Sequence, residues 1–205
     1  MNQVKVLTLE LAERFLKEGF SIREFTQIED EAAEALANHD GGLVLNGLTS
    51  LTDHAAEALA NHDDDLSLDG LTNLSDKAAK ALAKYKGYSL NLSGLKALSD
   101  IAEEALAKYR GSSLNLSGLK ALSDSAAEAF ANYGRYGDLV LNGLTSLTDH
   151  AAEALANRDG DLYLDGLTSL SDKAAEALAK HKGRLHLNGL TSLSDKAAET
   201  LRWAL

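Results

Sequence analysis

The chain has no cysteine. That excludes disulfides, thiolate metal sites and cysteine nucleophiles. It also has no proline in 205 residues, as expected of one regular motif with few irregular loops. Positive charge is scarce: 20 Lys and Arg stand against 31 Asp and Glu, a net charge of −11. A nucleic-acid backbone is therefore a poor partner, because such binding depends on cations that neutralise phosphates. Long hydrophobic runs are missing as well. No stretch approaches the roughly 20 apolar residues of a membrane span, and Lys5, Glu10, Glu13 and Arg14 interrupt the N-terminus where a signal core would lie. These absences predict a soluble, cytoplasmic protein with no membrane and no nucleic acid as partner, with a secreted or fragmentary origin left open.

What is present is repetition. LVLNGLTSLTDHAAEALANHD at 43–63 returns at 139–159 with only His62 changed, to Arg158. The same skeleton begins at Leu43, Leu66, Leu90, Leu114, Leu139, Leu162 and Leu185, at spacings of 23 to 25 residues. A degenerate unit precedes these, with Phe20, Ile22, Phe25 and Ile28 standing for Leu43, Leu45, Leu48 and Leu51. The first 19 residues fit no unit. They read as an amphipathic helix with Thr8 as N-cap, Gly19 as terminator and Leu9, Leu11, Ala12, Phe15 and Leu16 as its apolar set. The expected organisation is a cap plus degenerate unit over 1–42 and seven units over 43–205.

Within a unit, Leu-x-Leu alternates with period two, so both leucines face one side of a short strand. Asn-Gly, Asp-Gly or Ser-Gly follows, with glycine expected to supply a positive φ. Ser or Thr then Asp makes a helix N-cap and places a carboxylate at the positive end of the helix dipole. An alanine-rich helix of about nine residues completes the unit. Burying five leucines returns less than ordering such a unit costs, so neighbours must stack. Parallel strands sit about 4.8 Å apart while helices need about 8–10 Å, which bends the stack with its sheet inside. The expected fold is an α/β curved solenoid, with short parallel strands on the concave face and helices on the convex face.

Leu-x-Leu, then Leu-Ser-Asp or Leu-Thr-Asp, then Ala-Ala-x-x-Leu-Ala resembles a leucine-rich repeat over residues 20–205. It is most similar to the cysteine-containing subtype. The ladder position that the family fills with Asn or Cys is leucine here (Leu48, Leu71, Leu95, Leu119, Leu144, Leu167 and Leu190), and the units are shorter.

DLSLDGLTNLSD at 65–76 matches a calcium loop, with Asp65, Ser67, Asp69, Gly70, Asn73 and Asp76 at the ligand and turn positions. Leu66 and Leu68 belong to the invariant ladder, however, and Asp65 is Gly42, Ser89, Ser113 or Arg184 in sibling units. The segment reads as strand, turn and cap, so no metal and no cofactor is expected. No nucleophile, base or ligand set converges, and no catalytic residue is assigned. His39, His62, Tyr85, Tyr109, Tyr133, Arg158 and His181 share one position. They form either a contact strip, with Tyr88 and Tyr136 adding to its aromatic cluster, or a cover over the turns. The residue inside Leu-x-Leu varies as Val44, Ser67, Asn91, Asn115, Val140, Tyr163 and His186, and the preceding residue as Asp65, Asp161 and Arg184 among others. These ten residues are the candidate binding face for a protein or peptide. The alternative is a purely structural or engineered array without a ligand. Unaltered leucines in the last unit also predict self-association through the C-terminal edge, unless Trp203 folds back over the ladder.

Overall fold

The computed structural model describes residues 4–133 and 137–202. Seven strands form one parallel sheet in sequence order, each followed by a helix: β3 (Leu43–Val44), α3 (Asp53–Leu59), β4 (Leu66–Ser67), α4 (Asp76–Leu82), β5 (Ser89–Asn91) and α5 (Asp100–Leu106). The series continues with β6 (Ser113–Asn115), α6 (Asp124–Ala131), β7 (Asp138–Val140), α7 (Asp149–Ala156), β8 (Leu162–Tyr163), α8 (Asp172–Leu178), β9 (Leu185–His186) and α9 (Asp195–Leu201). The fold is a leucine-rich-repeat-like α/β solenoid. Register pairs Leu43, Leu66, Leu90, Leu114, Leu139, Leu162 and Leu185 in succession. Both leucines of each Leu-x-Leu are buried, and so are the ladder leucines from Leu48 to Leu167.

These seven helices have seven or eight residues rather than nine, because the chain tightens into a closing turn at Ala60 and its equivalents. Each cap hydroxyl works twice. Ser75 Oγ accepts the Ala78 N–H of its own helix at 3.0 Å and donates to Asp53 of the preceding one. Thr52, Ser99, Thr148, Ser171 and Ser194 likewise donate to Asp30, Asp76, Asp124, Asp149 and Asp172. The aspartate that favours its own helix dipole therefore also ties that helix to the next unit.

Two expectations need correction. The turn glycines do not adopt positive φ, which among the described residues only Gly19 and Gly41 do. They are required by close approach instead: a Cβ on Gly70 would lie 2.3 Å from Asn46 O and 2.5 Å from Leu48 O. The N-terminal segment also does fit the repeat, as the second half of a unit. β1 (Val6–Leu7) pairs in parallel with β2 (Gln27–Ile28), and α1 (Leu9–Glu18) lies against α2 (Asp30–Leu36). Leu7, Ala12 and Phe15 thereby occupy the places of Ile28, Ala33 and Leu36. Leu9 and Leu16, assigned to the apolar face, are exposed at 39% and 40%. The degenerate unit keeps its turn, with Arg23 O and Phe25 O approaching Gly47. Its residues 20–22 do not join the sheet.

At the other end β9 is the terminal strand. Leu185 and Leu187 are buried, Leu190 and Leu193 are half-buried, and Ala198 is exposed where its equivalents Ala152 and Ala175 are buried. The fold-back assigned to Trp203 lies outside the described residues.

Glu103 breaks the pattern. It replaces an alanine that recurs as Ala56, Ala79, Ala127, Ala152 and Ala175, and it is only 4% exposed. Burial pushes its carboxyl up to about 7, against a hydrogen bond from Ser123 Oγ (3.1 Å) that favours the ionised form. Ser123 is thus engaged with Glu103 and Ser125.

Replacing Leu116 with Ala in the middle of the array is expected to cost about 2–5 kcal/mol in denaturant unfolding. Glu103→Gln tests the buried carboxyl. Below pH 4.5 the group is protonated in both states and contributes nothing. As pH rises from 4.5 through 7 the unfolded chain releases a proton that the folded chain retains, so stability falls. Glu103→Gln should therefore raise stability by about 1–3 kcal/mol at pH 8 and by close to nothing at pH 4.

Candidate binding face

The parallel register turns scattered sequence positions into rows. Val44, Ser67, Asn91, Asn115, Val140, Tyr163 and His186 become direct neighbours across the sheet, all half-buried and on the side away from the leucine core. A second row holds Ser89, Ser113 and Asp138, paired in register across the sheet. Asp65 lies at its N-terminal end, and Asp161 and Arg184 at its C-terminal end, with the Arg184 N–H donating to Asp161 Oδ1 at 2.9 Å.

These rows are not uniform. Asn91 and Asn115 spend their side-chain oxygens on the following turn: Asn91 Oδ1 accepts the Ser93 N–H at 3.2 Å, and Asn115 Oδ1 accepts the Ser117 N–H at 2.9 Å and Oγ–H at 2.6 Å. Where the turn carries Asn or Asp, that residue bonds between units instead. The Asp165 N–H donates to Asn142 Oδ1 (3.0 Å), and the Asn188 N–H and Nδ2 donate to Asp165 Oδ1 (2.9 and 2.8 Å). Asn46 Nδ2 donates to Asp69 Oδ2 (2.9 Å). A partial polar ladder therefore runs along the turns, displaced from the leucine position where the resemblance led one to look for it.

The aromatic residues of the two rows lie in the C-terminal half. Tyr163 and His186 stack with ring centroids 4.1 Å apart and planes 6° from parallel. Asp138, which sequence reasoning left out of its candidate set, stands beside them. Its carboxyl is held above the usual range by burial and then by the neighbouring Asp161 charge, and the Tyr163 hydroxyl is shifted upward by burial and by Asp138. The arrangement offers an aromatic plate rimmed by carboxylates and one guanidinium.

The segment at 65–76 is ordinary repeat structure. Asp65 O accepts the Leu43 N–H, Asp69 belongs to the turn ladder, and Asp76 opens α4 and accepts Ser99 Oγ–H.

Five of the seven residues of the strip at the helix ends are withdrawn from solvent, while His39 and His181 are half-buried. His62, Tyr85, Tyr109, Tyr133 and Arg158 are all at most 2% exposed. Tyr85, Tyr109 and Tyr133 stack at 5.8 and 6.0 Å. The Tyr109 and Tyr133 hydroxyls donate to Gly87 O (2.8 Å) and Gly111 O (3.1 Å) of the preceding turns. The rings fill the space under the helix-to-strand connections, and of the aromatic cluster Tyr88 is exposed while Tyr136 lies outside the described residues. Arg158 ends the stack over Tyr133 at 5.1 Å. Its guanidinium donates to Phe130 O (2.8 Å), Tyr133 O (2.9 Å) and Gly137 O. Burial lowers its pKa to about 10, so it stays protonated at neutral pH. The signal was present in the sequence: Arg158 is the one change between two 21-residue copies, and it follows the one unit of 25 residues.

No protein-family profile matches the sequence, and no curated protein matches it. Among solved structures, an internalin from Listeria monocytogenes is similar at 18% identity and a TM-score of 0.36, over 87% of this chain and 69% of that one.

Because Asn115 caps its turn, Asn115→Ala should cost about 1 kcal/mol rather than nothing. Among the described residues the Ser67 hydroxyl makes no hydrogen bond, so Ser67→Ala should stay within about 0.5 kcal/mol in the same unfolding measurement.

Proposed function

We propose that this chain is a non-enzymatic scaffold that binds a protein or peptide on its sheet face, with recognition concentrated in the C-terminal half. The stacked Tyr163–His186 pair is the observation that carries this reading. Two rings held in contact lose little conformational freedom when a ligand covers them, and rigid aromatic residues dominate binding energies at interfaces. Val140 extends the plate, and Asp138, Asp161 and Arg184 supply a polar rim that fixes orientation. Asn91 and Asn115 keep a structural role, so the centre of the sheet is a spacer and not the recognition surface. The Leu-Ser-Asp helix starts and paired alanines support kinship with the cysteine-containing subtype of leucine-rich repeats.

A purely structural array is the competing reading, favoured by the near-identity of 43–63 and 139–159. Selection of displayed peptides on the intact array separates the two. Enriched peptides should lose at least about tenfold in affinity for Tyr163→Ser/His186→Ser, whose far-UV circular dichroism should match wild type. Peptides that bind the variant equally well would place the site elsewhere, and failure to enrich any would favour the structural array.

A further inference from the structure

One helix carries a charge reversal. The residue five places after the cap is glutamate in α1 to α3 and α5 to α9: Glu13, Glu34, Glu57, Glu104, Glu128, Glu153, Glu176 and Glu199. In α4 it is Lys80. At three helix boundaries this glutamate pairs with a basic residue at the start of the next helix: His54–Glu34 (2.8 Å), His150–Glu128 (2.6 Å) and Lys196–Glu176 (2.7 Å). The residue that would complete the pair with Lys80 is Ile101, an isoleucine left 49% exposed. Both members of one cross-helix pair have changed. The two places of the pair hold a cation on α4 and an exposed apolar side chain on α5.

Lys80 does not stand alone. Between α3 and α4 lies an open groove of about 650 Å³, walled by Lys77, Lys80, Lys84 and Lys86 and floored by Ala60 and Ala81. Lys77 reaches Asp53 at 4.0 Å, and the described residues give Lys80, Lys84 and Lys86 no carboxylate partner. Four of the chain's 20 basic side chains thus meet in one groove of a protein with net charge −11. Glu57 on the opposite wall is the one carboxylate that lines it.

We infer that this groove on the helical side is a second interaction surface, which takes a short acidic protein segment carrying an apolar residue. The carboxylates would lie against Lys80, Lys84 and Lys86 in the groove, and the segment would cross α4 to set its apolar residue against Ile101 of α5, which lies outside the groove. Charge complementarity selects the sign of the partner, and the array limits its length. On either side of α4 the equivalent position is glutamate, so a long polyanion such as a nucleic acid would run from the lysines into like charge. The site is separate from the sheet face and does not depend on it.

The test is fluorescence anisotropy with a labelled peptide of alternating Asp, Glu and Leu, at low and high salt, on the full chain. Lys80→Glu/Ile101→Lys restores the pairing seen at Glu176–Lys196, so the variant should fold at least as well as wild type. Saturable, salt-sensitive binding by wild type is expected, weakened at least about tenfold in this variant and unchanged in Tyr163→Ser/His186→Ser. Equal affinity in Lys80→Glu/Ile101→Lys, absence of saturable binding, or equally tight binding of an oligonucleotide of the same charge would overturn the proposal.

Discussion

Everything in this molecule answers to one spacing. Parallel strands hold successive layers about 4.8 Å apart on the sheet side, and each layer must fit its turn, core and helix to that step. At the turns the step leaves no room for a Cβ, which is why Gly47, Gly70, Gly94, Gly118, Gly143, Gly166 and Gly189 recur: a methyl group on any of them would collide with a carbonyl of the preceding layer. In the core, leucine fills the layer. On the helix side, alanine is what lets helices approach, as Ala56, Ala79, Ala127 and Ala152 show by being fully buried. Helices still need more room than strands, and the difference bends the stack.

Polar groups bind the layers in two lines. The cap hydroxyl to aspartate bond repeats along the helix N-termini, and the Asn/Asp bond repeats along the turns where Ser does not replace it. Both satisfy groups that would otherwise be lost at the boundary between layers. Where one line is interrupted, something local takes over: Glu103 engages Ser123, and Asn91 and Asn115 cap the turns that carry serine. Arg158 does the same service at the C-terminus of α6, where carbonyls are left without helical partners, and the Tyr109 and Tyr133 hydroxyls do it in the turns that follow the helices.

Two surfaces remain after these structural duties are subtracted. On the sheet, Tyr163, His186 and Asp138 face outward without holding a turn together. On the helices, Lys80 and Ile101 depart jointly from a pairing that three other helix boundaries make. Each stands out because the array is so regular that the structural requirement at its position is known from its siblings. The regular units thus serve as the reference against which a departure becomes visible.

The sequence by itself determined the periodic architecture: the Leu-x-Leu alternation, the Ser/Thr-Asp caps and the recurring Leu43-to-Leu185 frame specify strand, turn, helix and their order, because these are local preferences repeated with one register. It also identified which residues vary inside that frame, and hence the ten candidate face residues. Only the tertiary structure decided which of these are free. Tyr85, Tyr109 and Tyr133 look like an exposed strip in one dimension, yet stacking buries each ring against the next unit. Asn91 and Asn115 look equivalent to Tyr163, yet their oxygens are committed to backbone two residues on. Residues 6–18 fit no repeat by leucine spacing, yet pair as a half-unit, because Leu7, Ala12 and Phe15 satisfy the geometry with different side chains. The physical reason is common to all three. Burial and hydrogen bonding in a solenoid arise between residues some 23 positions apart, and a local pattern cannot show what the neighbouring layer places against it.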